Sequence, residues 1–314
     1  MTQTVKGVGK KRTFLQRLSR DFKMNKYKYL LILPVLIYLA LFAYKPMYGI
    51  VIAFKNYKPT RGIMRSQWVG FMWFENFFKD IYFWRLLRNT FTISALSIVF
   101  GFPAPILLAL LLNEIHHSGF KRTVQTITYM PYFISLVVTC SIIKIYCQEN
   151  GLFSQIAELF GGTRKNFLIE PRYFRTIYVV SGIWQNIGWN SILYLAALSG
   201  IDQEQYEAAR IDGANRFQQI WNITIPGMLP TIVLQLILNV GHILDKGFEH
   251  VLVFYNPAVY ETSDIIMTYV YRQGIGKLDF SRATALGLFN SVVAFILIVG
   301  ANAVSKRTLK RSIW

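Results

Sequence analysis

The sequence predicts an all-α polytopic membrane protein with six transmembrane helices. The chain has 314 residues, of which 53% are hydrophobic and only 16% are charged, whereas a soluble domain carries about 25% charged residues. The charges are unevenly placed, because long uncharged blocks alternate with short basic clusters. This alternation is typical of several membrane spans and argues against one large soluble core.

Both ends of the chain are basic and adjoin apolar segments. A basic segment, 1–28, precedes the first apolar run, and a basic tail, 305–314, follows the last one. Lys and Arg clusters beside spans mark the cytoplasmic face, where they meet anionic lipid headgroups. Both termini are therefore expected in the cytoplasm, with an even number of spans in the domain 29–304. The net charge of +18 does not predict nucleic-acid binding, because the bases flank apolar runs and form no single patch.

Six apolar runs account for the predicted spans. The first meets Lys45-Pro46, where proline removes a backbone donor, so the helix is expected to bend or end there. Residues 56–88 mix aromatic side chains with charges, which is typical of an interfacial segment outside the cell. The stretch 244–282 contains only runs too short to cross about 30 Å of hydrocarbon, and an extracellular connection with a re-entrant or interfacial helix is expected. The six runs are 29–43, 90–112, 123–146, 177–198, 229–243 and 283–304.

The two cysteines, Cys140 and Cys147, both fall on or at the end of the third run. Their separation in sequence corresponds to roughly 10 Å along a helix axis. A disulfide needs Cα atoms within about 7 Å. The two thiols are therefore expected to be free and to fill packing positions.

A polar loop, 200–228, separates the fourth and fifth runs and is expected on the cytoplasmic side. Asp202 can accept hydrogen bonds from the free amides of a starting helix, which predicts a helix over about 203–211. Gly213 then stands where the chain leaves that helix, and glycine readily adopts the left-handed conformation needed there. The loop is thus expected to turn a tight corner at this glycine.

A second short helix is predicted beyond the corner. Asn215 and Gln218 repeat the start signal at the spacing of a capping box. Pro226 and Pro230 are expected to stop this helix and to turn the chain into the fifth span. Two short helices joined at Gly213 make a compact wedge.

The two short helices present a surface suited to a partner. Phe217, Ile220 and Trp221 stand at i, i+3 and i+4 and so share one face of the second helix. Ala208 and Ala209 leave no bulk on the first helix, so a partner can approach closely. An aromatic and aliphatic face on such a loop suits insertion into a groove of another protein. The alternative is an ordinary amphipathic loop that lies on the bilayer surface.

The loop also carries a signature. Glu207-Ala208-Ala209, Gly213 and Ile223-Thr224-Ile225-Pro226 follow the offsets Glu-Ala-Ala-x3-Gly-x9-Ile-x-Leu-Pro, with Ile225 in place of Leu. The segment resembles the signature loop of ATP-binding-cassette (ABC) importer permeases. Other stretches are similar to the carbohydrate-uptake, maltose-permease-like superfamily, in its branch for complex oligosaccharides and polysaccharide fragments. They are 46–49, 53–57, 68–71, 248–250, 256–257, 261–264 and 283–289, whereas Arg282 departs from the usual aromatic residue.

The resemblance implies the type I ABC importer permease fold in a bacterial cytoplasmic (inner) membrane. It implies a chain that is not an enzyme and binds no cofactor, with ATP and Mg held by a partner ATPase that moves the permease through this loop. The implied partners are two ATPase subunits, a second permease subunit that is expected to be a different chain, an extracellular sugar-binding protein or lipoprotein, and membrane lipid. The implied ATPase-coupling residues are Glu207, Ala208, Ala209, Asp212, Gly213, Phe217, Ile220, Trp221 and Pro226.

No ATP-binding or metal-binding motif stands in the sequence. Gly274-Ile275-Gly276-Lys277 comes nearest to a phosphate-binding loop, but Tyr271 occupies the position of its first glycine. Neither His-Glu-x-x-His nor Cys-x-x-Cys is present. ATP hydrolysis and metal chemistry are therefore not expected of this chain.

Amide side chains lie inside two predicted spans, where lipid cannot satisfy them. Gln235, Asn239 and His242 stand at i, i+4 and i+7 of the fifth span and share one face. Sugars bind through amide hydrogen bonds and aromatic stacking, so these faces are candidates for a substrate path. Hydrogen bonding between helices is the alternative and stays open. The candidates in the fourth span are Gln185, Asn186 and Asn190, flanked by Trp184 and Trp189.

The runner-up function is an ion-driven secondary transporter of a polar solute. It needs carboxylates inside the membrane as coupling sites, and runs 90–112 and 177–198 contain none. A membrane enzyme is disfavoured, because no nucleophile–base or metal constellation is present. The sequence therefore favours the permease subunit of an ATP-driven oligosaccharide importer.

Overall fold

The computed structural model describes residues 24–241, 244 and 247–308, and these are mostly helical. Most of the predicted basic N-terminal segment, the last residues of the basic tail and His242 lie outside the described residues. Two strands, β1 (Lys55–Asn56) and β2 (Gln67–Trp68), pair antiparallel. In chain order the helices are α1 (Lys26–Phe54), α2 (Gly62–Arg65), α3 (Met72–Phe78), α4 (Phe83–Glu114), α5 (Ser118–Phe133), α6 (Leu136–Cys147), α7 (Leu152–Leu159), α8 (Pro171–Ser199), α9 (Gln203–Ile211), α10 (Arg216–Gly241), α11 (Phe248–Phe254), α12 (Tyr260–Ser263), α13 (Ile266–Tyr271) and α14 (Phe280–Thr308).

Among the described residues, four helices are long and apolar enough to cross a membrane, namely α1, α4, α10 and α14. A fifth candidate is the bent pair formed by α5 and the segment Leu136–Leu159. Helix α8 has 29 residues, which at about 1.5 Å per residue exceeds the roughly 30 Å of a hydrocarbon core. Together these helices are consistent with the six predicted spans, although α4 begins at Phe83, earlier than predicted.

Helix α1 continues through Lys45-Pro46 instead of ending there. Its hydrogen bonding widens to a π-helical turn at Ala40–Tyr44 and tightens to a 3-10 helix at Tyr48–Phe54. These changes of helix type accommodate the backbone donor that proline lacks. The first span is therefore one helix, and its last turns pack on α14.

The predicted third span, 123–146, is broken. Helix α5 ends at Phe133, α6 begins at Leu136, and the two axes meet at 100°. Ser135 caps α6, because its Oγ accepts the Val138 N–H at 3.3 Å. The third run therefore forms parts of two helices instead of one continuous helix.

The connection between α10 and α14 packs against other helices. Val251 and Ile266 are almost completely buried. The buried Asp264 carboxylate accepts from Arg272 at 2.8 Å and from Arg85 of α4 at 3.3 Å. The stretch is therefore packed onto the helical bundle, and the choice between a re-entrant and an interfacial helix stays a prediction.

Helix α8 lies among the other helices of the bundle. Phe174 near its start packs in one buried cluster with Cys140 of α6. Tyr194 near its end packs in another with Met228 of α10. Cys140 and Cys147 are both free and buried, as predicted. Ser181, Gln185 and Ser191 of α8 are also buried, so part of the polar side of this helix faces the protein interior, and this position creates the site described next.

Candidate functional site

The loop between α8 and α10 begins with a helix that has the predicted bounds. Helix α9 runs over Gln203–Ile211. The Asp202 carboxylate accepts the Glu204 N–H at 3.0 Å and so satisfies one of the free amides of the first turn. A local side-chain contact thus sets where the helix begins.

The corner that ends α9 is closed by glycine. Gly213 has a φ of 79°, and its N–H donates to the Arg210 carbonyl at 3.1 Å. The Ala214 N–H donates to the Ala209 carbonyl at 2.8 Å. This pair of bonds is the Schellman motif, which requires a left-handed residue at the position of Gly213. The predicted glycine corner is present.

The second helix of the loop begins as predicted but does not end as predicted. Asn215 Oδ1 accepts the Gln218 N–H at 3.0 Å, and Gln218 Oε1 accepts the Asn215 N–H at 2.7 Å, which completes a capping box. A π-helical turn at Ile220–Thr224 precedes Pro226, and its altered hydrogen-bond pattern accommodates the backbone N–H that proline lacks. The expected stop at Pro226 and Pro230 is therefore wrong, and α10 continues from the loop into the fifth span.

The open surface of the loop carries large apolar side chains. Phe217 is 85% exposed, Trp221 72% and Ile211 87%. We call these three residues the loop patch; the sequence had not singled out Ile211. Exposed apolar clusters on a polar segment mark interaction sites. Of the other coupling candidates, Glu207, Ala208, Asp212, Gly213 and Pro226 are exposed, and Ala209 and Ile220 are half-buried.

A cavity of about 840 Å³ lies between α4, α8, α10 and α11. Its size is within the range of small-molecule sites. The two predicted amide faces meet in it, since one lies on α8 and the other on α10. The predicted path residues that line it are Gln185, Asn186, Asn190, Gln235 and Asn239.

The two candidate tryptophans lie on different sides of α8. Trp189 lines the cavity, whereas Trp184 is not part of the lining and is 43% exposed. Residues five positions apart on a helix point about 140° apart, so they cannot share a face. Trp189 stacks on Tyr132, with ring centroids 4.5 Å apart and planes at 3°. Tyr132 was not predicted, because it stands at the break after α5, which the sequence did not reveal.

Helix α8 holds the break in place. Gln185 Nε2 donates to the Ile134 carbonyl at 3.2 Å, at the break between α5 and α6, and lies 3.4 Å from Thr139 Oγ1. A Cβ at Gly188 would stand 2.1 Å from the Thr128 carbonyl oxygen, so α5 and α8 touch through their backbones. The Gln185 amide therefore bonds between helices, which is the alternative left open for these residues.

Two of the other amides, Asn186 and Asn239, are oriented by their own helices. Asn186 Nδ2 donates to the Gly182 carbonyl at 2.9 Å. Asn239 Nδ2 donates to the Gln235 carbonyl at 2.8 Å. Each bond reaches back one turn and holds the side chain beside the cavity. The amides are thus arranged before any ligand arrives.

Helix α11 adds three lining residues, Phe248, Glu249 and His250, that sequence reasoning did not assign to the site. Glu249 is exposed, and the buried His250 ring lies 3.0 Å from Ser181 Oγ of α8. The only sequence signal for them was the family-like stretch 248–250. Within the described part of the chain, no group of three His, Cys, Asp or Glu residues could hold a metal ion.

A bundle of apolar helices around a cavity lined by amides and aromatic rings defines a membrane transport protein. The family model for the binding-protein-dependent transport system inner membrane component matches residues 101–310. The chain belongs to this family and is an ABC transporter permease, an integral membrane transport subunit and not an enzyme. This membership sets aside the ion-driven alternative.

Relatives cover nearly the whole chain. Protein LplB of Bacillus subtilis (strain 168) is 44% identical over 300 residues, which is 95% of this chain and 93% of that protein. The polygalacturonan/rhamnogalacturonan transport system permease protein YteP of the same organism is 44% identical over 293 residues, 93% of this chain and 91% of that one. A solved bacterial alginate ABC transporter, in complex with an alginate pentasaccharide-bound periplasmic protein, has a TM-score of 0.87 and 41% identity over 95% of this chain and 100% of its own.

Proposed function

We propose that the chain lines the path of an oligosaccharide through a bacterial inner membrane and receives an ATPase on its α9–α10 loop. The family works in binding-protein-dependent transport. YteP is named for polygalacturonan and rhamnogalacturonan transport, and the solved neighbour imports the acidic polysaccharide alginate. These relatives support a polysaccharide fragment as the substrate.

The loop patch is the observation that carries the docking proposal. Phe217 and Trp221 stand one turn apart on α10 with most of their surface open. Aromatic anchors of this kind supply much of the energy of protein interfaces when a partner pocket covers them. Ala208, exposed on α9, leaves room for close approach. The caps at Asp202 and Gly213 fix the shape of the loop, so little ordering is needed on binding.

The further partners belong to the same proposal. Two ATPase subunits hold ATP and Mg, a second permease of different sequence completes the path, and an extracellular sugar-binding lipoprotein delivers the substrate. In a chain with six spans the loop between the fourth and fifth spans lies on the same side as both termini, and the basic character of the termini supports a cytoplasmic position for all three. Lipid covers the apolar side chains of α1, of which Leu31 is 78% and Phe42 67% exposed.

The cavity offers the groups that recognise a sugar. Asn186 and Asn190 stand one turn apart on α8, and Trp189 lies between them in sequence. Amides exchange hydrogen bonds with hydroxyl groups, and an aromatic face packs on the C–H face of a pyranose ring. Trp189 and Tyr132 stack on each other, which holds the aromatic surface in one orientation. Gln185 has a structural role beside them.

Docking is tested with Trp221→Ala in the assembled importer. Loss of a hot-spot tryptophan costs about 2 kcal/mol or more. The affinity of the permease for the ATPase should therefore fall about thirtyfold, and less ATPase should co-purify with the variant. The matched control is Trp68→Ala, because Trp68 is 62% exposed in the β2 strand, away from the loop. Equal retention of the ATPase by both variants would refute docking on the loop patch.

The substrate is tested by uptake of labelled oligosaccharides in cells that express the complete importer. Uptake of fragments of a polysaccharide should require the binding protein and stop on ATP depletion. Trp189→Ala should raise the KM for the transported fragment. Uptake that survives ATP depletion and follows an ion gradient would contradict the proposal.

A further inference from the structure

A chain of hydrogen bonds runs through the inside of the α9–α10 loop. Tyr206 Oη lies 3.0 Å from Thr224 Oγ1, and Thr224 Oγ1 donates to the Gln219 carbonyl at 3.3 Å. Threonine has one hydroxyl proton, so Tyr206 is the donor in the first bond. Gln219 Nε2 donates in turn to the Ala214 carbonyl at 2.8 Å, beside the Gly213 corner. These bonds close a ring that joins α9, the corner and the start of α10.

The ring is shielded although the loop around it is open. Thr224 is 3% exposed and Gln219 7%. Within α9, only Tyr206 and Ala209 are even half-buried, and the other residues of the helix are exposed. Apart from its chain connections at Ile201 and at the Gly213 corner, helix α9 is therefore held to the rest of the protein mainly by the Tyr206 side chain, which also packs against the buried cluster around Met228. Exclusion of water makes the Tyr206 bond stronger than a surface bond.

The far end of the ring belongs to a helix that lines the cavity. Thr224 closes the π-helical turn of α10, which continues to Gly241 and carries Gln235 at the cavity. A Cβ at Gly227 would stand 2.7 Å from Ile201 Cδ1, so α10 also packs tightly on the segment that leads into α9. Because Tyr206 of α9 is bonded to Thr224 of α10, a displacement of α9 is transmitted directly to the cavity-lining helix.

We propose that Tyr206 and Thr224 are positioning residues that lock α9 to α10, so that movement of a docked ATPase moves the cavity-lining helix. The inference rests on the proposed docking of an ATPase on this loop. Without the bond, only the packing of the Tyr206 ring and the chain connections at Ile201 and Gly213 hold α9 to α10, so the loop deforms more easily when a docked partner moves. Part of the movement of the docked ATPase then bends the loop locally and does not reach α10.

The test uses the complete importer in lipid vesicles and measures ATP hydrolysed per sugar transported. Tyr206→Phe and Thr224→Val each remove the bond and keep the side-chain volume. Sugar transported per ATP hydrolysed should fall about two- to tenfold, because one net hydrogen bond changes the ratio of locked to unlocked loop conformations by about that factor. The double variant should lose no more than the worse single variant, because both changes remove the same bond. Ser199→Ala is the control, since Ser199 Oγ donates within α8 to the Ala196 carbonyl at 2.8 Å, just before the loop.

Each outcome separates the two proposals. Normal co-purification of the ATPase with reduced transport per ATP supports the coupling role. Three results would overturn it. Unchanged transport per ATP in Tyr206→Phe would show that the bond has no role in coupling, and additive losses in the double variant would show that the two residues do not act through one bond. Loss of the ATPase from both variants would show that the residues serve folding or docking only. Failure of the unaltered permease to hold the ATPase through this loop would instead refute the proposed docking.

Discussion

Replacement of Gly188 by alanine is expected to force α5 and α8 apart. The added Cβ would stand 2.1 Å from the Thr128 carbonyl oxygen and 2.4 Å from the carbonyl carbon. Non-bonded heavy atoms prefer about 3.5–4.0 Å, so the helices must separate by more than about 1 Å. The atoms in the way belong to the backbone and cannot rotate aside. Overpacking of this kind typically costs about 1–3 kcal/mol.

The same separation disturbs two neighbouring contacts. The hydrogen bond from Gln185 to the Ile134 carbonyl and the stack of Trp189 on Tyr132 both join α8 to the break after α5. A net hydrogen bond is worth about 0.5–1.5 kcal/mol, and an aromatic pair a similar amount. The expected destabilisation is therefore about 2–6 kcal/mol.

Thermal unfolding of the purified protein measures this effect, with Gly182→Ala as the matched control on the same helix. A Cβ at Gly182 would stand 3.7 Å from His250 Cε1, an ordinary contact, and alanine in a helix is favoured over glycine by about 1 kcal/mol. Gly188→Ala should lower the melting temperature, and Gly182→Ala should leave it unchanged or raise it. Equal melting temperatures for the two variants would refute the backbone contact.

Three further predictions concern the path, the corner and the ion pair. Trp189→Ala should raise the transport KM about two- to tenfold through lost stacking, whereas Trp184→Ala should not change it; equal uptake kinetics would contradict the assignment. Gly213→Ala places a Cβ at a φ of 79°, which costs about 1–2 kcal/mol and destabilises the corner of the loop, so less ATPase should co-purify. The control Gly200→Ala has an ordinary φ of −87° and should retain the ATPase. Asp264→Asn leaves the partly exposed guanidinium groups of Arg85 and Arg272 without their carboxylate. The free energy of unfolding should fall, but by less than the about 3–5 kcal/mol that breaking a fully buried ion pair costs. An unchanged melting temperature would count against this cluster as a stabilising contact.

The features predicted well from the sequence are those set by local chemistry. Asp202 caps α9 through a residue two positions away, and Gly213 closes the corner through bonds within five residues. The capping box of Asn215 and Gln218 spans three residues. Such signals are complete within the segment that carries them, so neighbours in space were not needed to place the loop helices.

Some of the features missed depend on contacts that are distant in sequence. The break after α5 lies in an apolar run, and it is stabilised by Gln185, which stands 51 residues beyond Ile134. Pro226 was expected to stop a helix, but a π-helical turn before it supplies an alternative hydrogen-bond pattern. Tyr132 could enter the site only once the break was known. The separation of Trp184 from Trp189, by contrast, follows from helical phase alone and was available from the sequence.

Helix α8 shows why a transport path is hard to read from hydropathy. The described helices that pass a test of length and apolar composition are α1, α4, α10 and α14, together with the bent pair that includes α5. Helix α8 is as long as α1 but carries Gln185, Asn186 and Asn190, which lower its apolar character. These amides are tolerated because all three line the cavity and Gln185 is in addition buried between helices, so they are not confined to contact with lipid. A helix that serves a polar substrate must therefore lose part of the signal by which membrane helices are recognised, and its weaker hydropathy is itself an indication of where the path runs.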